Sequence, residues 1–220
     1  KEETIIPLIE RYIASIPATS RKFTAADNMV RPVAGKKKLL VNKGKEKKSL
    51  IVAFYTGRTT YTEDMRLKME ALGEILNIRI IEELREKIQG IYGGGISTSL
   101  EKIPYSNYTV LLQLPCGPEK VDTLLKAVNK EFEYMVKHGP DQSYLDKVKQ
   151  QWREQHKVSV KENEYWLNEL LSFKFPGGDP KRFLQYEKYI DKLTVKDVQQ
   201  AAELVLAGKN HLTAVLMPGE

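Results

Sequence analysis

Two side chains in Leu84-Arg85-Glu86-Lys87-Ile88-Gln89-Gly90-Ile91-Tyr92-Gly93-Gly94-Gly95 have the chemistry to hold a peptide in place. Arg85 ends an amphipathic helix and Tyr92 opens a strand, with Gly90 between them as the helix stop. Arg85 contributes a planar, permanently charged fork of donors and Tyr92 a neutral phenol. Either can donate to an extended backbone, or to a carbonyl oxygen that is becoming an oxyanion. Gly93, Gly94 and Gly95 lack side chains, so another backbone, a partner's or a peptide's, can approach along the strand; a local bulge is the structural alternative. A phosphate loop is a poor reading, because no Lys-Ser or Lys-Thr follows and the glycines open a strand, not a helix.

Groups that break bonds are missing beside this pair. His138, His156 and His211 are the only histidines. No two are spaced by four residues, and none has a carboxylate at metal-ligand spacing, so no zinc site is expected. His138 reads as a charge at a helix end, His156 as a helix-surface residue and His211 as the start of a strand. No nucleophile elbow surrounds Ser97 or Ser172. Cys116, the single cysteine, allows no internal disulfide and reads as a small buried strand residue.

The elements that must position Arg85 and Tyr92 follow from periodicity. Thr62 is placed to cap a helix running to Ile88, with Met65, Met69, Leu72, Leu76, Ile80, Leu84 and Ile88 as its apolar stripe. Arg85 sits one residue off that stripe, near the C-terminus, where the helix dipole favours a cation. Residues 92–103 and 107–114 read as an antiparallel hairpin around Pro104, and residues 38–42 and 49–55 as another around Lys43-Gly44-Lys45-Glu46. Helices are expected over 119–137, over 141–171 with Asp141 as N-cap, over 180–191, and over 195–207 with Thr194 as cap. A last strand spans 211–217.

Hairpins segregated from helices predict an α+β fold, an antiparallel-rich sheet covered by helices. Ile5, Ile6, Leu8, Ile9, Tyr12 and Ile13 predict a short amphipathic helix that Pro17 ends. Residues 1–17 are therefore expected to belong to a preceding domain, 18–35 to be a linker, and 36–220 to form the main domain.

Composition narrows the class further. A chain of 220 residues with 41% hydrophobic content can bury a sizeable core. The net charge of +6 is partly local, with Lys36, Lys37, Lys38, Lys43, Lys45, Lys47 and Lys48 crowding one stretch. No aromatic residue there could stack on a base, so a solvated sheet edge is expected, and nucleic acid is not expected as a partner. No run of about 18 apolar residues marks a membrane span, and Lys1-Glu2-Glu3-Thr4 lacks a signal-peptide core. A first residue other than Met fits a processed or excised fragment.

The string from Leu84 to Gly95 resembles the motif of the carboxyl-terminal half of insulinase/pitrilysin-type zinc metallopeptidases, a family that includes the mitochondrial processing peptidases. Residues 7–17 resemble the helix that closes the preceding domain there. Leu50 to Phe54 is similar to the first substrate-side strand, and Gly139-Pro140 to the family's break before a long helix. The resemblance implies that zinc lies on an HxxEH helix of another half, a motif absent here. It implies that Arg85 holds a substrate oxygen, that Tyr92 donates to the scissile carbonyl, and that the partners are a zinc-bearing amino-terminal half or subunit and a peptide substrate. It also implies that this chain alone is inactive. Glu74-Ile75-Leu76-Asn77-Ile78-Arg79 departs from a Gly-rich segment in many members, so that loop's contacts do not carry over. The expected role is to enclose substrate and support the transition state of a zinc endopeptidase, periplasmic or secreted in a bacterium, with a cytoplasmic address as the alternative. A non-catalytic scaffold subunit of the same fold is the rival.

Overall fold

Strand-forming residues concentrate in Ser49–Arg58 and Asn107–Cys116, which pair with each other in the interior of a five-stranded sheet with Ser49–Arg58 as its central strand. A computed structural model describes residues 1–19, 24–88, 91, 93–174 and 177–219. Its strands are β1 (Lys36–Asn42), β2 (Ser49–Arg58), β3 (Gly95–Glu101), β4 (Asn107–Cys116) and β5 (Asn210–Met217), in the order β1-β5-β2-β4-β3. The helices are α1 (Glu2–Ile9), α2 (Glu63–Ile80), α3 (Val121–His138), α4 (Gln142–Ser159), α5 (Asn163–Lys174), α6 (Tyr186–Lys192) and α7 (Val195–Leu206). The expected α+β architecture is present.

One face of the sheet carries Ile51, Ala53, Tyr55, Ile96, Leu100, Val110, Leu112 and Leu114. These are buried with Met69, Leu72 and Leu76 of α2, Leu124 and Val128 of α3, and Ala201 and Val205 of α7 in a single core. Successive strand side chains point to opposite faces. The other face presents Leu50, Val52, Phe54, Leu111 and Leu212, all partly exposed, beside exposed Leu216.

Two expectations about local structure are corrected. Residues 38–42 and 49–55 do not form a hairpin. β1 pairs in parallel with β5, Lys38 opposite Thr213, and β5 pairs antiparallel with β2, Val52 opposite Ala214. β2 is consumed on both sides by strands of high β propensity, and the lysine-rich β1, exposed along its whole length, takes the outer edge where charge discourages further pairing. The helix expected over 141–171 is two helices, broken at 160–162, where the Trp166 indole N–H donates to the freed carbonyl of Val160 at 2.8 Å. Asp141 occupies the N-cap position of α4, but its side chain accepts no cap hydrogen bond.

The helix starts that fix the layer match their sequence signals. Thr62 accepts from the Met65 amide, and Thr194 forms a reciprocal capping box with Asp197. Asp197 also reaches Lys68 of α2 at 2.7 Å, tying α7 to α2. Burial pushes the Asp197 carboxyl up, but hydrogen bonds from Lys68 and Thr194 outweigh it and hold the group below its ordinary range. Its stabilising contribution is therefore complete above the ordinary aspartate value and fades as pH falls through the lowered one. In urea unfolding, Asp197→Asn should lose less stability between pH 7 and pH 3 than the native chain. Equal losses would show that the carboxylate does not hold the helix pair.

Candidate functional site

α2 does not stop at Ile80 but continues through Ile81–Lys87 with wider turns, closed by the Ile88 amide on the Glu83 carbonyl at 3.2 Å. Such i→i+5 turns are uncommon and recur at functional positions. Leu84 is 0% exposed and Ile88 packs against the core, so this segment is anchored on one side. Arg85, one residue from Leu84, is exposed, and among the described residues nothing forms a hydrogen bond or ion pair with its guanidinium.

The neighbouring charges are occupied. Arg79 is half-buried, with its Nε 2.7 Å from a Glu131 oxygen and its guanidinium over the Tyr134 ring. The Tyr144 hydroxyl donates to Glu82 at 2.5 Å. Among the described side chains at this corner, Arg85 is thus an exposed cation without a hydrogen bond or ion pair.

Tyr92 lies outside the described residues, as do Gln89 and Gly90. On one side of it, Ile91 is buried and bridges to Cys116, bringing the chain back to the end of β4. On the other side the three glycines have different surroundings. A Cβ on Gly93 would meet nothing within 4 Å. Gly94 has φ +93° and a Cβ there would stand 2.0 Å from the Gln113 carbonyl oxygen, while one on Gly95 would stand 2.6 Å from Asn77 Oδ1. Close approach of the β4 backbone thus accounts for Gly94 and that of the Asn77 side chain for Gly95, while Gly93 faces open space.

β3 is an edge strand, and Asn77 treats it as such. The Asn77 carboxamide donates from Nδ2 to the Ile96 carbonyl at 2.7 Å and accepts from the Ile96 amide at 2.6 Å. By the alternation of an antiparallel ladder, the same edge continues through Thr98 and Leu100. No sequence motif pointed to Asn77. Its signal was a polar amide of modest helix propensity set between Leu76 and Ile80 in an apolar stripe.

The histidines do not converge. His138 lies 5.0 Å from the Tyr134 ring at the end of α3. His211 stacks on Tyr55 at 4.3 Å and bonds Thr213 at 2.7 Å, and burial together with Lys36 and Lys38 lowers its pKa. His156 is not a plain surface residue but lines a cavity between helices, 2.9 Å from the Tyr165 hydroxyl. Among the described residues no group of three or more His, Cys, Asp or Glu is placed to hold a metal ion. Cys116 is buried in β4, which pushes its thiol pKa up. No helix among the described residues is long and apolar enough to cross a membrane.

The fold, an antiparallel-rich sheet layered by helices, is shared with domains of known peptidases. Residues 1–152 match the family described as Peptidase M16 inactive domain, and the chain belongs to that family. It is 21% identical over 222 residues to the probable zinc protease PqqL of Haemophilus influenzae, an alignment covering 95% of this chain and 22% of that protein. The crystal structure of the periplasmic protease PqqL from Escherichia coli superposes with a TM-score of 0.84 at 21% identity, over 99% of this chain and 24% of that one. A protease from Helicobacter pylori gives 0.82 at 16% identity, over 99% and 53%. The chain thus spans less than a quarter of either PqqL protein.

The glycine geometry sets a stability test. Gly94→Ala should destabilise the fold by about 3 kcal/mol or more, since positive φ and overlap with the β4 backbone both oppose it. Gly93→Ala should stay within about 0.5 kcal/mol of the native chain. Equal melting temperatures for the two variants would contradict the assignment.

Proposed function

We propose that this chain forms the non-metal wall of the active site of a zinc-dependent endopeptidase, enclosing substrate and supporting the transition state. The observation that carries the reading is the exposed, unpaired Arg85 at the corner where α2 hands over to edge strand β3. A peptide laid along that edge would take backbone hydrogen bonds from the strand and rest beside the open apolar sheet face. Arg85 would hold a peptide carbonyl or carboxylate oxygen. Tyr92 would donate to the scissile carbonyl as it becomes tetrahedral, where a fixed donor is worth a few kcal/mol.

Among the described residues the donor set does not fit a zinc ion, because the histidines sit on separate elements with separate partners. The metal and its HxxEH ligands belong in this reading to another domain or subunit, and the chain alone hydrolyses nothing. The exposed apolar side chains of α1, among them Ile5, Leu8 and Ile9, support assigning residues 1–17 to a preceding domain and 18–35 to a linker. A periplasmic address is supported by the description of Escherichia coli PqqL as a periplasmic protease.

In the protein carrying both halves, Tyr92→Phe should lower kcat by about tenfold to a thousandfold with little change in KM. Arg85→Gln should raise KM for peptides. Native kcat/KM in both variants would leave the scaffold reading standing instead.

A further inference from the structure

On the helix layer, α2, α4, α5 and the segment ending in α6 enclose a cavity of about 270 Å³. Glu70 on its wall is roughly 20 Å along the helix from Arg85, so this is a different place from the proposed active-site wall.

The cavity is aromatic. His156 contacts Tyr186 at 4.7 Å and Phe183 at 5.6 Å between ring centres, and Tyr165 lies 5.4 Å from Phe183. Its charged lining is Glu63, Glu70, Glu74 and Glu169 against Arg66 and Arg182. Both guanidiniums are already engaged. Arg66 meets Glu63 at 3.1 Å and Glu70 at 2.7 Å, and Arg182 pairs with Asp64 while stacking on Tyr189. Glu63 spends its other oxygen on the Tyr61 hydroxyl at 2.6 Å. Among the described residues, the carboxylates of Glu74 and Glu169 have no hydrogen bond or ion pair.

This pattern selects a ligand by charge. An anion would meet guanidiniums that are already neutralised and carboxylates in excess. A neutral apolar group would desolvate Glu169 without giving it a partner. A cation would satisfy the spare carboxylates and lie against aromatic faces, whose quadrupoles attract positive charge. Burial already pushes the Glu70 and Glu169 pKa values up, so a cation in the cavity relieves a cost present when it is empty. The neighbouring surface points to a polypeptide source. Leu167, Leu170 and Leu171 are exposed on the same helix as Tyr165 and Glu169, and Leu184 is exposed beside Phe183. A cavity of this size takes one side chain, while the leucines meet apolar neighbours in the same segment.

We infer that the cavity walled by Tyr165, Phe183, Tyr186, Glu70 and Glu169 is a docking site for an arginine or lysine side chain presented by a polypeptide with flanking apolar residues.

Trp152 lines the cavity and Trp166 lies 4.8 Å from Phe183, and they are the only tryptophans, so intrinsic fluorescence reports on it. Titrating the full chain with acetyl-Leu-Arg-Leu-amide should give a saturable fluorescence change. Acetyl-Leu-Glu-Leu-amide should give none, and agmatine should bind at least about tenfold more weakly than the arginine peptide. Glu169→Gln, checked for native circular dichroism and melting temperature, should weaken the arginine peptide by about tenfold, as expected for one lost charge-assisted contact. Any of these results would overturn the inference: equal binding of the arginine and glutamate peptides, no binding of the arginine peptide, or agmatine binding as tightly as the peptide. Unchanged affinity in a folded Glu169→Gln chain would do the same.

Discussion

The Asn77 carboxamide, helped by the Thr98 hydroxyl that donates to the Met69 carbonyl at 3.0 Å, ties α2 to β3 in the proposed site. Asn77 of α2 fills both hydrogen-bonding groups of Ile96 in β3, at 2.7 and 2.6 Å, as a neighbouring strand would. The contact requires that nothing stand between helix and strand, which is why position 95 is glycine. Position 94 must be glycine for the companion reason that the β4 backbone lies against it. Two hydrogen bonds of this kind contribute on the order of 1 kcal/mol each. Their larger effect is directional, because they set where the end of α2, and so Arg85, stands relative to the free edge of the sheet. They also occupy the first backbone position of that edge and leave any added strand to begin beyond it.

Charge follows the same economy. Near the end of α2, Arg79 is paired with Glu131 and Glu82 with Tyr144, whereas Arg85 is exposed and has no hydrogen bond or ion pair among the described residues. An arginine already paired would have to break a hydrogen-bonded contact before meeting a peptide oxygen, whereas a solvated one exchanges only water. The helix layer shows the reverse imbalance, with carboxylates left over in an aromatic cavity. The end of α2 therefore carries an exposed cation, while the cavity on the same helix layer carries carboxylates that have no partner among the described residues.

Much of this was legible in the sequence where the determinant is local. The stripe from Met65 to Ile88 and the Thr62 cap defined α2, and the alternation around Pro104 defined the β3–β4 hairpin. Non-local choices were not legible. Lys38–Asn42 and Ser49–Tyr55 are separated by a turn-like segment, yet β5, more than 150 residues later, inserts between them. Local pattern carries no information on such a pairing. The break between α4 and α5 escaped because helical character resumes at once on either side of Val160. His156 read as a surface residue because its surroundings come from four separate elements. Gly94 and Gly95 were read as letting another backbone approach, with a bulge as the alternative, and the neighbours that crowd them, Gln113 and Asn77, come from elements distant in sequence.

The central claim, that the free edge of β3 and its open face meet a bound polypeptide, is tested most directly by photo-crosslinking. A benzophenone amino acid at Ser97, exposed on that strand, would be irradiated with a radiolabelled peptide in the longer protein that carries both proposed halves, with the exposed Val158 of α4 as control position. Label transferred to the Ser97 position and not to Val158 is the expected result. Equal labelling at both positions, or none at Ser97 while the peptide is being cleaved, would contradict the account.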